Sequence, residues 1–160
     1  MSYAGHVAMF VVVVPLMLLT IWFDLKQMRI PNKLTLTVVA AFLLVGVVFL
    51  TPQALAFRVL AALIVLTIGF VLYNFGRIGG GDIKMIAAGA LFVPVEDAGF
   101  VMMMLSALLI LGLGALLVTR RLVPAHVAAN WKALDRKSRY PMGLSIALTL
   151  IAYLGINLYP

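Results

Sequence analysis

The stretch GRIGGGDIKM, residues 76–85, interrupts a chain that is otherwise almost entirely apolar. Three consecutive glycines lead directly into an acid, Asp82, and an apolar segment with helical character follows it. Glycine adopts backbone angles that other residues avoid, and it lets neighbouring segments approach closely. A helix that only crosses a membrane needs no such hinge, so the stretch predicts a glycine-rich loop that places a carboxylate at the start of a helix.

The composition around this stretch is that of an integral membrane protein. Of the 160 residues, 65% are hydrophobic and 11% are charged, whereas soluble domains have about 45–50% apolar and about 25% charged residues. The chain has no cysteine, which excludes disulfides, thiolate metal sites and a cysteine nucleophile. We therefore expect one integral-membrane domain over residues 1–160, without a soluble domain.

The apolar runs predict an all-α polytopic fold with six transmembrane helices. About 20 apolar residues cross the hydrocarbon core of a bilayer, and the fourth run is shorter than this. The predicted spans are residues 5–23, 34–50, 54–75, 83–95, 98–118 and 142–159. The glycine-rich loop then precedes the fourth helix.

The basic residues predict the orientation of the chain. Eleven of the twelve lie in the segments 24–33, 74–84 and 119–140, and Arg58 alone lies on the other side. Since cytoplasmic loops are enriched in Lys and Arg, these segments are expected in the cytoplasm and both termini outside. Topology and attraction to anionic lipid explain the net charge of +7 without a nucleic-acid partner.

Two of the five acids are predicted to lie at similar depth in the membrane. Asp24 follows the first span and Asp82 precedes the fourth, both on the cytoplasmic side. A helix from Asp82 to residue 95 is about 20 Å long at 1.5 Å per residue, less than the roughly 30 Å hydrocarbon core. For either acid alone, a solvated helix end or a local salt bridge explains the position equally well, and the position of Asp82 also suits a helix N-cap.

Two opposed carboxyl groups favour aspartic-protease chemistry. When two such groups lie close together they cannot both ionise, and one keeps a proton. The ionised carboxylate can take a proton from water while the protonated one polarises the peptide carbonyl. This chemistry needs no metal ion and no cofactor.

Three motifs in this order resemble the prepilin peptidase family, the type IV leader peptidases with a G-x-G-D signature. GGGDIKM (79–85) contains that signature, DLKQMRIPNKLT (24–35) is similar to the family's Asp and Pro-Asn turn, and YPMGLSIAL (140–148) to its last turn. The resemblance implies that Asp24 and Asp82 are the catalytic pair. It also implies site-shaping positions, at Gly79, Gly80, Gly81, Lys84, Pro31, Asn32, Pro141 and Gly143. Of these, Lys84 is expected to contact a phosphate or solvent.

The resemblance implies an intramembrane aspartic endopeptidase of the bacterial inner membrane. Such an enzyme removes the short basic leader from type IV pilin precursors at the cytoplasmic face. The chain lacks the cysteines and the extra cytoplasmic region of bifunctional members. It is therefore similar to the short, peptidase-only enzymes of Flp-type pilus systems, with an Flp-type precursor as substrate and no N-methyltransferase activity.

Two other functions are compatible with the sequence. Intramembrane acids also occur in proton-coupled transporters, although this chain is small and shows no paired broken helices in two halves. A non-catalytic pilus-assembly factor could keep the same fold.

Overall fold

The computed structural model describes residues 2–76, 78–124, 128–135 and 137–158. Within these ranges the chain forms six α-helices and no strand, which confirms the all-α prediction. The helices are α1 (Tyr3–Gln27), α2 (Asn32–Phe49), α3 (Pro52–Asn74), α4 (Gly80–Ala90), α5 (Ala98–Leu122) and α6 (Met142–Ile156). Arg77, Arg136 and residues 125–127 of the basic segments lie outside the described residues.

Four segments are long and apolar enough to span a membrane. They are α1, α2, α3 and the segment Val95–Leu122, which contains α5. At 1.5 Å per residue, α4 is about 16 Å long and α6 about 22 Å, so neither helix alone covers a hydrocarbon core of about 30 Å. The six-span count therefore stays a prediction.

The fourth helix differs from the prediction at both ends. It begins at Gly80, so two of the three consecutive glycines lie in its first turn and not in the preceding loop. It ends at Ala90, before the expected end at residue 95, and tight turns from Phe92 to Gly89 and from Val93 to Ala90 continue the chain. Pro94 follows and cannot extend a helix.

The connection between α1 and α2 is a sharp turn. Met28 has a φ of 54°, and its amide donates to the carbonyl of Asp24. A positive φ is uncommon for a residue other than glycine, and it reverses the chain directly after the last turn of α1. The carbonyl of Pro31 then accepts from Leu34 and Thr35 and starts α2.

The two short helices form the interior of the bundle. α6 packs against α1, α4 and α5, and α4 packs against α2, α3 and α6. Eight residues of α6 are buried, whereas the described residues of α5 include a single buried one, Leu116. The longer helices expose large apolar side chains on their outer faces, as expected for surfaces in contact with lipid.

A polar cluster joins three parts of the chain at the end of the bundle away from Asp82. Buried Arg58 of α3 donates to the carbonyl of Phe92 at 3.1 Å, and Tyr153 of α6 donates to Asp97 at 2.6 Å. These bonds hold α3, α6 and the segment between α4 and α5 together.

Candidate active site

Asp24 occupies the last turn of α1 and is almost completely buried, with 4% of its surface exposed. Within the described part of the chain, its Oδ2 atom is the buried side-chain oxygen or nitrogen that lacks a hydrogen-bond partner. An unpaired buried polar atom is costly and rare in folded proteins. The fold therefore holds Asp24 in a position that its own stability does not explain.

The start of α6 lies directly against the carboxyl group of Asp24. A Cβ atom at Gly143 would lie 2.7 Å from Oδ2 and 3.0 Å from Cγ of Asp24, so only glycine leaves room for the carboxyl. Gly143 and Leu144 are the second and third residues of α6. They belong to the N-terminal end of a helix, where the partial positive charge favours a carboxylate.

Asp82 lies in the first turn of α4 and is half-buried. Its side chain folds back over Gly79, where an added Cβ would lie 2.7 Å from Oδ2 of Asp82. A Cβ at Gly80 would approach Tyr73 to 3.5 Å, and one at Gly81 would approach Ile30 to 3.6 Å, both ordinary contacts. Of the three glycines, Gly79 is thus the one whose missing side chain makes room for the acid.

Asp24 and Asp82 line the same cavity, here called the aspartate cavity, which has a volume of about 1000 Å³. Its walls are the end of α1, the turn before α2, the start of α4, one face of α5 and the segment before α6. Of the predicted site residues, the cavity brings together Asp24, Asp82, Gly79, Gly80, Gly81, Pro31 and Asn32. Pro141 and Gly143 lie outside this lining. Pro141 is buried, and Gly143 lies against the carboxyl group of Asp24.

Lys84 lies on a different side of α4 from Asp82. It is half-buried and donates to Oδ1 of Asn32 at 3.2 Å, and its expected contact with a phosphate or solvent stays a prediction. Two residues along a helix turn the side chain by about 200°, which removes Lys84 from the aspartate cavity. It ties the start of α2 to α4.

A model of the type IV leader peptidase family matches residues 11–118. The chain belongs to this family. The match covers about two thirds of the chain, includes both aspartates, and ends before α6. No curated protein and no solved structure matches the chain. Membership confirms the resemblance to the prepilin peptidases and favours a membrane-bound peptidase over the transporter.

The sequence did not point to Arg139 and Tyr140 as wall residues of the aspartate cavity. The hydroxyl of Tyr140 is hydrogen-bonded to Ser145, and Ser145 donates to the carbonyl of Leu108 on α5 at 2.9 Å. Burial raises the pKa of Tyr140 above its ordinary value. The sequence signal that could have pointed to a special role for Tyr140 was its position directly before Pro141.

Arg120 is a second residue with a structural role that the sequence did not reveal. Its guanidinium donates to the carbonyl of Ala133 at 2.6 and 2.9 Å, to Ser138 at 3.1 Å and to Arg139 at 3.2 Å. The end of α5 thereby holds the segment that carries Arg139 and Tyr140 to the cavity. Nothing in the charge pattern separates this arginine from the others in the segment 119–140.

Proposed function

We propose that the chain is an aspartic endopeptidase that removes the short basic leader from type IV pilin precursors. The observation that carries this proposal is the pair of acids from different helices, Asp24 and Asp82, on the wall of one cavity. The buried oxygen of Asp24, which has no hydrogen-bond partner, supports it, because folded proteins rarely keep such a costly group unless it has a functional role.

The proposed reaction uses the two carboxyl groups as one unit that shares a proton. The ionised carboxylate takes a proton from water, whose oxygen attacks the carbonyl carbon of the scissile peptide bond. The protonated carboxyl gives its proton to the carbonyl oxygen, which yields a tetrahedral diol. The diol then loses a proton to one carboxylate while its C–N bond breaks, and the departing nitrogen gains a proton from the pair.

The orientation of the site follows the proposed topology. Arg29 and Arg139 line the aspartate cavity, and Lys26 lies in the last turn of α1. Under the positive-inside rule this end of the bundle faces the cytoplasm. We place the enzyme in the bacterial inner membrane, with cleavage near the cytoplasmic face and anionic lipid at the basic segments.

The proposed substrate is a precursor of the Flp type. The chain has no cysteine and so lacks the paired thiolates of bifunctional relatives, which supports a peptidase-only enzyme without N-methyltransferase activity. The choice of an Flp-type precursor rests on likeness to short members of the family. The two-acid mechanism requires no metal ion or cofactor.

The test is leader removal by variants of the acids. An Flp-type precursor is co-expressed with the wild type, Asp24→Asn, Asp82→Asn and the control Asp135→Asn, and its mass is followed. Asp135 is an exposed acid of the segment before α6, so its variant is expected to cleave like the wild type. The two site variants, at equal membrane levels, are expected to leave the precursor intact. Cleavage by both site variants contradicts the mechanism, and a precursor left intact by the wild type contradicts the substrate.

A further inference from the structure

A smaller apolar cavity, here called the outer groove, lies one helical turn from the aspartate cavity, towards the other end of the bundle. It has a volume of about 180 Å³ and is flanked by α3 and α5, with α4 and α6 as its floor. Thr149 is the polar side chain of its lining, and the rest are apolar or glycine.

The two cavities adjoin on each of three helices. On α4, α5 and α6, one residue lines the aspartate cavity and a residue exactly one turn away lines the outer groove. These pairs are Asp82 and Ile86, Leu109 and Leu105, and Met142 and Ile146. Residues four apart lie on the same helix face, so a single surface leads from the acids into the outer groove.

The outer groove is open at its α5 side. Met102 lines the groove, yet 60% of its surface is exposed. Helix α5 packs mainly against α6. The face of α5 that is turned towards α3 is therefore free for another chain. The adjacent Met103 has a similar exposure of 63% but is outside the lining of the groove.

A third cavity, of about 590 Å³, lies on the opposite face of α4 between α2 and α3. It shares with the aspartate cavity a single lining residue, Asn32. The side-chain oxygen of Asn32 accepts from Lys84 at that junction. A chain that passes from the acids into this cavity has to displace a charged hydrogen bond, whereas the route into the outer groove is apolar.

We propose that the outer groove holds the apolar, membrane-embedded segment of the peptide substrate next to the bond that is cut. This inference rests on the proposed function, because a chain whose peptide bond reaches Asp24 and Asp82 must continue along a surface that adjoins them. A helix is about 10–12 Å wide with its side chains, so a groove of about 180 Å³ receives the side chains of one helix face. Small residues on the floor, Gly89 and Ala90, allow the close approach by which helices associate in lipid.

Cysteine cross-linking tests the position of the segment, since the chain has no cysteine of its own. Single-cysteine variants Met102→Cys, Met103→Cys and Leu63→Cys are made in the full chain. Leu63 lines the third cavity and is 54% exposed. Each variant is treated in membranes with a short bis-maleimide and an Flp-type precursor that carries one cysteine, placed in turn at four successive positions of its apolar segment.

We expect a cross-link yield at least several-fold higher for Met102→Cys than for Met103→Cys or Leu63→Cys. Equal yields at residues 102 and 103 would mean that α5 meets the segment only as a lipid-facing surface, and the proposal would be wrong. A highest yield at residue 63 would place the segment in the third cavity and also overturn it.

Cleavage kinetics separate this inference from the proposed function. Met102→Trp fills the groove and is expected to raise KM at least several-fold, while Met103→Trp cleaves like the wild type. If the wild type cleaves the precursor and neither cross-link nor KM distinguishes residues 102 and 103, the groove is refuted and the peptidase stands. If residue 102 cross-links selectively and the wild type does not cleave, binding stands and the proposed reaction fails.

Discussion

Replacement of Gly143 by alanine tests whether the start of α6 sets the position of Asp24. The new Cβ would lie 2.7 Å from Oδ2 of Asp24 and 3.0 Å from Cδ1 of Ile30. Ordinary contact begins at 3.4 Å, so the carboxyl has to withdraw by about 0.7 Å. The alternative is a shift of the whole first turn of α6.

The substitution is expected to lower both the rate of cleavage and the stability of the fold. A misplacement of about 1 Å of a catalytic group costs about 100-fold in rate, so a displacement of about 0.7 Å is expected to lower kcat by about 10- to 100-fold. Overpacking costs about 1–3 kcal/mol, and alanine in place of glycine within a helix recovers about 0.5–1 kcal/mol. Because Gly143 lies outside the lining of the aspartate cavity, KM is expected to change little.

The assay measures initial rates of leader removal by purified enzyme in detergent, together with thermal unfolding. The matched control is Gly114→Ala on α5, where an added Cβ meets nothing within 4 Å; its activity is expected to equal that of the wild type. A Gly143→Ala enzyme with wild-type kcat and an unchanged unfolding temperature would refute the reasoning, because it would show that the carboxyl is not held against this glycine.

Two further substitutions test the hydrogen bonds that support the bundle. Arg120→Met leaves the backbone carbonyls of Ala133, Ser138 and Arg139 without their donor. Ala133 is buried, and an unpaired buried group costs about 1–3 kcal/mol, so both thermal stability and cleavage rate are expected to fall. The control is Arg121→Met, at the neighbouring exposed arginine. Wild-type cleavage by Arg120→Met would contradict its role in holding the cavity wall. Tyr153→Phe removes the hydrogen bond to Asp97 and is expected to cost about 1.5–3 kcal/mol of stability, with kcat unchanged. The same two assays measure both quantities, and Tyr3→Phe, at an exposed tyrosine, is the control. A loss of kcat without a loss of stability would contradict a purely structural role.

The helical class could be predicted from the sequence because it depends on local properties. The length of each apolar run and the positions of Pro and Gly are properties of neighbouring residues, and they correctly predicted an all-helical fold for the described residues. The positions of Asp24 and Asp82 at helix ends followed from the same pattern. The structure places both on the wall of one cavity, and their pairing as catalytic groups stays a prediction.

The lengths of the inner helices depended on packing. The sequence predicted a fourth helix to residue 95, but the residues after Ala90 form tight turns whose side chains remain buried against the core. An apolar run has the same composition whether it is a straight helix or a helix followed by buried turns, so hydropathy does not distinguish the two.

The sequence by itself determined that this protein is helical and apolar, with two acids at the same end of its helices. Only the tertiary structure decided which partners those acids meet. Gly143 is 119 residues from Asp24 in the chain, yet it lies against its carboxyl group, and Arg120 reaches carbonyls 13 to 19 residues away. Such contacts depend on how helices rotate and cross when they pack, and the spacing of residues along one segment contains no information about the face that another segment will present to it.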